Sequence, residues 1–324
     1  MTEQESSASQ SVSMRFGAWL TQFIVPLWVF FGAFSKANGA TAKSLPRSIL
    51  DAGGIIGIKD HYIWLLVLLI IEFIFVGVMF FMPKLARSAA TLLLSTFLLV
   101  LLVEMFGYGN YESCGCLGEH SLSPMMMFAI DFLLLLGIII FKPKPMTCTL
   151  TNCKMGFVSF VIFIAITTWY SADRILTERN SSSGEVTTLN LPNSWYPQDL
   201  GSWDGKSVDD IELFSWVEWP EDIRVGKQYV IFYGMACDHC EELLYMHFEF
   251  DVQFPTTLVA IPESKDEFNE DGAFDNPCFD CIKTRLPLGV DWIIGTPMVI
   301  ALEDGIVRCA IESEESEYPA CLIW

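Results

Sequence analysis

Positive charge is what this sequence has least of. Its 324 residues include 19 Lys and Arg against 39 Asp and Glu, a net charge of −20. Neutralising phosphates takes basic patches, so this balance argues against nucleic acid as a partner. Histidine is scarce as well, and His61, His120 and His247 stand isolated along the chain, where they read as surface or interfacial residues. Residues 16–172 hold almost all the long apolar runs, whereas residues 173–324 hold most of the acids. The mean hydropathy of +0.41 therefore averages two unlike halves. A membrane half followed by one soluble domain with an acidic, solvated surface is the natural division.

A bilayer core of about 30 Å takes roughly 20 apolar residues as helix. Five runs approach that length: 16–34, 62–82, 86–106, 124–141 and 156–172. The last is the shortest, and Trp169 and Tyr170 at its end suit a membrane interface. Residues 1–15 read as a polar tail. Span one has a single positive charge before it and a long apolar run, so it is expected as a retained helix rather than a cleaved signal.

With the N-terminus inside, inner segments carry Arg15, Lys84, Arg87, Lys142, Lys144 and Lys154, and outer segments carry Lys36, Lys43, Arg47, Lys59, Arg174 and Arg179. The totals tie. The short loops holding Lys84/Arg87 and Lys142/Lys144 sit at span ends, where positive charge counts most, and favour N-in. Residues 107–123 have no Lys or Arg, which suits the outside. Two crossings separate that loop from the C-terminal domain, so both are expected in one compartment, with Cys148 and Cys153 on the opposite face. Three acids fall within or beside spans. Glu104 is near a helix end and is expected to reach water. Glu72 and Asp131 lie deeper, where a carboxylate is costly and marks a functional site or a helix–helix hydrogen bond.

Ten cysteines is a high count. Most come as close pairs: Cys114/Cys116, Cys148/Cys153, Cys237/Cys240 and Cys278/Cys281, with Cys309 and Cys321 near the end. Such spacing points to redox chemistry, structural disulfides or metal. Residues 173–204, with Asn180-Ser-Ser-Ser-Gly184, Pro192 and Pro197, read as a linker. Beyond it, 228–233, 256–261, 297–302 and 305–311 have strand character, the last two joined by a tight turn at Glu303-Asp304-Gly305. The segment Cys237-Asp-His-Cys240 falls between the first strand and a helical stretch. At that junction unpaired amides and the helix dipole favour a thiolate, so Cys237 is the expected attacking sulfur and Cys240 the resolving one. A protonated His239 would favour the thiolate further.

These residues resemble the thioredoxin superfamily. Phe232-Tyr233 before the Cys-x-x-Cys matches its strand-then-site pattern, and Thr296-Pro297 before an apolar strand matches its cis-proline loop. The resemblance spans about 205–312 and implies a loop at Thr296 and Pro297 that faces the cysteines and helps bind the partner. Asp238 departs from the family's usual proline after the first cysteine. The membrane half resembles the MauE/DoxX family of redox-associated membrane proteins, through Gly32-Ala-Phe-Ser-Lys36, Ile71-Glu-Phe-Ile-Phe-Val-Gly77 and Cys114-Gly-Cys-Leu-Gly118 followed by Pro124 and Asp131. Together the resemblances imply an all-α membrane helical bundle over 16–141, a loop and fifth tethering span over 142–172, and an α/β thioredoxin-like domain over 205–324. They also imply a bacterial inner membrane, a cytoplasmic N-terminus and a periplasmic C-terminal domain.

The leading expectation is a membrane-bound thiol–disulfide oxidoreductase that relays electrons between Cys237/Cys240 and the membrane-proximal Cys114/Cys116. A disulfide across Cys114-Gly-Cys116 would be strained and labile, as a relay pair should be, and a tether raises the effective concentration of the two sites. Its partners would be periplasmic protein thiols and disulfides and the lipid bilayer. No cofactor is certain. A quinone acceptor enters by analogy with DsbB and vitamin K epoxide reductase. Cys278/Cys281 reads as a second redox pair, a structural disulfide or, with Cys237/Cys240, half of a zinc site; no metal is the favoured reading. Cys309 and Cys321 would form a structural disulfide. The competing function is a non-catalytic factor for maturing a disulfide-rich enzyme, since MauE-like proteins are associated with methylamine dehydrogenase. A metal-binding membrane protein is the third.

Overall fold

A computed structural model describes residues 15–109, 123–141, 150–181, 191–250, 253–312 and 321–324, with side chains from 154 onward in the third stretch. Cys114, Cys116, His120 and Cys148, and the side chain of Cys153, lie outside what is described. The chain divides into two compact units, Met1–Arg179 and Asn180–Trp324.

The first unit is helical. Helix α1 (Arg15–Gly39) carries a π turn at Leu20–Ile24 immediately before Pro26. Proline has no N–H and its ring crowds the preceding turn, and the wider turn accommodates both. A short helix follows, α2 (Arg47–Ile56), which ends on Gly57 with φ 86°. The amides of Gly57 and Ile58 close back on Gly54 and Gly53 there. Helix α3 (His61–Phe81) starts on Asp60, whose carboxylate accepts the amides of Tyr62 and Ile63. Helices α4 (Pro83–Gly107) and α5 (Pro124–Ile140) each open on a proline, and α6 (Leu150–Ser181) completes the unit. Among the described residues, four helical segments are long and apolar enough to cross a membrane: Arg15–Gly39, His61–Phe81, Pro83–Gly107 and Lys154–Ser181. The fourth expected span, 124–141, forms as α5, but it has 17 residues. At 1.5 Å per residue it is about 25 Å long, a few Å under the bilayer core.

Small residues let these helices approach. Ala86, Ala89 and Ala90 of α4 are buried in the bundle core with Val29 of α1 and Met79 of α3, as expected where lipid supplies no hydrophobic driving force. A Cβ on Gly77 would lie 2.9 Å from the Phe160 ring, and one on Gly156 would lie 2.7 Å from the Phe81 carbonyl oxygen. These contacts fix directions. Gly156 meets the end of α3, while Arg179 pairs with Asp60 at its start at 2.8 Å, so α3 and α6 are antiparallel. Phe16 packs on Phe141 at 4.9 Å and Trp28 bonds Asp131, so α1 and α5 are antiparallel too. Phe30 meets Phe163 and Arg174 bonds the Asn38 carbonyl, so α1 and α6 run parallel. The start of α5 and the end of α6 therefore lie at the same end of the bundle.

The second unit is built on a five-stranded sheet. Its strands are β2 (Lys227–Gly234), β3 (Thr256–Ile261), β4 (Ile282–Arg285), β6 (Met298–Glu303) and β7 (Ile306–Glu312), in spatial order β4-β3-β2-β6-β7. β2, β3 and β4 pair in parallel; β6 runs antiparallel to both β2 and β7. β6 and β7 turn through Asp304 (φ 51°) and Gly305 (φ 75°), the two positive angles that an Asp-Gly hairpin supplies. Side chains alternate between two cores. Val230, Phe232, Met298, Ile300 and Leu302 enter one; Tyr229, Ile231, Tyr233, Val299 and Ala301 enter the other.

The single helix between β2 and β3, α7 (Asp238–His247), covers the second core with Leu243 and Leu244. The first core is covered by irregular chain rich in tryptophan. Trp195, Trp203, Trp216 and Trp292 meet at ring separations of 5.5–6.3 Å, and β1 (Ser194–Trp195) pairs with β5 (Asp291–Trp292). The stretch expected as a linker thus begins as the last turns of α6 and ends as core. Tryptophan's large buried area pulls it inward, which a reading of its Asn, Ser and Pro content overlooks.

Candidate functional site

Strand β2 ends at Gly234, and the chain turns through Met235 and Ala236 into α7. Cys237 is the N-cap residue of α7, in extended conformation, and its Sγ accepts the backbone amide of Cys240 at 3.2 Å. Its carbonyl accepts from Cys240 and Glu241. A sulfur therefore stands where Ser, Thr or Asp usually caps a helix, sharing the Cys240 amide with the Cys237 carbonyl. Cys237 and Cys240 are disulfide-bonded, with Cα atoms 5.2 Å apart. Cys237 is half-buried and Cys240 fully buried, an asymmetry that leaves one sulfur within reach of a partner.

A second loop closes on this sulfur. The Thr296–Pro297 peptide is cis. The Thr296 hydroxyl lies 3.4 Å from the Cys237 Sγ, and its carbonyl oxygen lies 3.8 Å from the same atom. The loop is held by Glu312 at the end of β7, which accepts the Gly295 amide at 2.6 Å. Gly234 leaves room for all of this: a Cβ there would lie 3.2 Å from the Cys237 Cβ and 3.7 Å from the Thr296 hydroxyl. His239 sits half-buried in the first turn of α7, beside the exposed Asp238. That turn also carries Glu241, so acidic side chains oppose the helix dipole at the place where a thiolate would form.

The other two pairs are disulfides as well. Cys278 is bonded to Cys281, and Cys309 to Cys321. Cys278, Cys281 and Cys321 are buried, and with Cys240 they belong to the core on the α7 side of the sheet. The segment before Cys278 is tied to the turn of the first pair, because the Phe274 amide bonds the Met235 carbonyl and the Phe274 ring lies 6.1 Å from that of Tyr233. Burial pushes the Tyr233 phenol upward, against the opposing influence of Asn276 and Arg285. Each of these cysteine pairs is bonded internally, and among the described residues no three His, Cys, Asp or Glu side chains converge.

In the helical unit, Glu72 pairs with Lys36 at 2.5 Å. Asp131, 1% exposed, accepts the Trp28 indole N–H at 2.9 Å. Glu104 does not reach water as expected. It is fully buried and accepts the Ser48 amide at 2.7 Å, because α2 folds over the end of α4. His61 likewise is buried, in the first turn of α3. Of the expected site residues, the structure brings Cys237, Cys240, Thr296 and Pro297 together and buries Glu72 and Asp131, while Cys114 and Cys116 lie outside the described residues. Gly234, Glu312, Trp28 and the pairing of Lys36 carried no expectation in the sequence. Lys36, at the end of an apolar run with a lone acid in the next, was the signal available for that pair.

Residues 14–142 match the family model described as methylamine utilisation protein MauE. No curated protein and no solved structure matches the chain. With that match and four apolar helices of spanning length, the protein is a membrane protein whose helices contact lipid.

Proposed function

We propose that this membrane protein is a thiol–disulfide oxidoreductase whose C-terminal unit is thioredoxin-like and periplasmic. The observation that carries the reading is the Cys237 sulfur, which caps α7, receives the Cys240 amide and faces Thr296. The order of strands around β2, with the cis Thr296–Pro297 bond opening β6, supports the fold assignment. In the exchange, the Cys237 thiolate attacks one sulfur of a substrate disulfide, forms a mixed disulfide and releases the other sulfur as a thiolate. Cys240 then attacks Cys237, forms the internal disulfide and releases the second substrate thiol. Two electrons pass from the protein to the substrate, and the reverse sequence oxidises a dithiol.

Cys114 and Cys116 are the proposed second pair, exchanging with Cys237/Cys240 through a mixed disulfide of the same kind. Support comes from the bundle, where α5, which follows the 107–123 loop, begins at the same end at which α6 finishes. The proposed division is a membrane domain at 16–141, a tethering span and linker, and the soluble domain beyond, with the N-terminus cytoplasmic. The burial of Cys278 and Cys321 supports structural roles for Cys278/Cys281 and Cys309/Cys321.

A second reading is favoured by one observation, the match of the helical unit to a methylamine utilisation family. Under it the protein is an assembly factor in the maturation of methylamine dehydrogenase and binds its client without exchanging thiols. Expression of the full chain with Cys240→Ser separates the two. The first reading expects mixed disulfides through Cys237, visible on non-reducing gels and assigned by mass spectrometry to a protein thiol or to Cys114 or Cys116. Absence of any adduct, with client capture unaffected by Cys237→Ser, would overturn it in favour of the second.

A further inference from the structure

Three parallel strands of the second unit carry one row of register partners: Tyr233 on β2, Ala260 on β3 and Arg285 on β4. Partners in a row share a face of the sheet, and Lys283, two residues before Arg285, shares it too. That face is the one α7 covers, because Tyr233 and Ala260 enter its core. A methyl group between a phenol and a guanidinium leaves a gap, and a cavity of about 260 Å³ lies there, at the carboxyl ends of the strands. Met235, Phe274 and Asn276 complete its walls. Met235 is two residues before Cys237, so their Cα atoms are at most about 7 Å apart.

The lining selects by charge. The second unit has only seven of the chain's 19 Lys and Arg. Two of the seven, Lys283 and Arg285, line this cavity, and among the described residues no Asp or Glu does. A cationic group would be repelled by both. Glu270, outside the lining, accepts from one Arg285 nitrogen at 2.9 Å, but the two side chains are 64% and 53% exposed. Such a pair is weak, and it leaves Arg285 further donors. Asn276 adds a buried donor. Its Oδ1 accepts the Cys278 amide at 3.0 Å, which fixes the orientation of the side chain, and its Nδ2 has no hydrogen-bond partner among the described residues. A buried donor left unpaired is costly. An apolar occupant would leave it so, whereas an oxyanion would accept from it and from the two cations together.

We propose that this cavity receives the carboxylate of an acidic residue close to the reactive cysteine of a polypeptide substrate. The inference rests on the thiol–disulfide reading and names a substrate class for that site. An extended peptide advances about 3.3 Å per residue, so a residue two positions from the substrate cysteine spans the step from Cys237 to Met235. The test gives the reduced full-length protein, in detergent at physiological ionic strength, three disulfide-linked peptide dimers. They differ only in having Glu, Gln or Lys two residues to either side of the cysteine. The Glu peptide is expected to be reduced about fivefold or more faster than the Gln peptide, and the Lys peptide slowest. Lys283→Gln with Arg285→Gln should bring the Glu-to-Gln ratio to about one; both residues are exposed. Lys227→Gln with Arg308→Gln removes the same charge at the opposite end of β2 and β6 and should leave the ratio unchanged. A ratio near one in the unaltered chain, or an equal fall in both variants, overturns the proposal. So does loss of the preference in acetate at the peptide's concentration, which would make the occupant a small free anion. Failure to reduce even hydroxyethyl disulfide would sink the exchange reading instead. The cavity is then decided by fluorescence anisotropy of the same peptides with Ser in place of Cys. Tighter binding of the Glu peptide, abolished by Lys283→Gln with Arg285→Gln, supports it, and equal binding of all three overturns it.

Discussion

The hydroxyl of Thr296 lies 3.4 Å from the sulfur of Cys237, a residue 59 positions earlier in the chain. In the reduced protein a hydroxyl at that place donates to a thiolate more strongly than to a thiol, so it favours the charged form. Thr296→Val keeps the shape of the side chain and removes the donor. Alkylation of Cys237 by iodoacetamide at pH 7 is expected to slow about three- to tenfold, the equivalent of one hydrogen bond. Unchanged alkylation would mean that the hydroxyl does not act on the reduced sulfur.

Asp238 works in the opposite direction. It is the first residue of α7 and is exposed next to the sulfur. A carboxylate there stabilises the helix N-terminus but disfavours a second negative charge on Cys237. Asp238→Asn is expected to speed alkylation by about two- to fivefold at low ionic strength, with the gain shrinking in 1 M salt because exposed charges are screened. A gain that persists in salt would point to a conformational cause instead.

These two residues show what could be read from sequence and what could not. The Cys-x-x-Cys, the strand before it and the Thr-Pro pair are local patterns, and each names its own backbone setting. The hairpin at Asp304 and Gly305 was legible for the same reason. Strand β4 was not, because only four residues, Ile282–Arg285, pair at the sheet edge and half of them are exposed. Helix α2 was hidden by two adjacent glycines, Gly53 and Gly54. Gly53 is required by the Trp64 indole, which a Cβ would meet at 2.8 Å, and such a contact has no sequence signature. The tryptophans of the 191–219 stretch were visible, but their meeting in one core depends on β1 pairing with β5, almost 100 positions away.

Lys36 and Glu72 form an ion pair with side chains only 14% and 11% exposed. Removing one partner strands a charge in the bundle, at a cost of about 3–5 kcal/mol, whereas removing both leaves an apolar contact. Lys36→Met should therefore lower the thermal midpoint of the detergent-solubilised protein sharply, and Lys36→Met with Glu72→Leu should restore most of the loss. A double variant no better than the single one would indicate that the two residues act separately.

The disulfide between Cys309 and Cys321 ties the chain end to the edge strand β7. Beyond it, the Trp324 amide bonds the Tyr229 hydroxyl at 3.0 Å and Lys227 lies 4.2 Å from the Trp324 ring. These contacts cover the start of β2 only if the tail is held in place. Closing a loop with a sequence separation of 12 stabilises the fold by about 3 kcal/mol, chiefly through the entropy of the unfolded chain. Cys309→Ser with Cys321→Ser should lose roughly that much stability in urea and release the tail, raising proteolysis and hydrogen exchange at residues 321–324. The Cys237/Cys240 pair lies at the other end of β2, so its reduction potential should stay at the unaltered value. A shift in that potential would show that the tail disulfide reaches the first pair through the core they share.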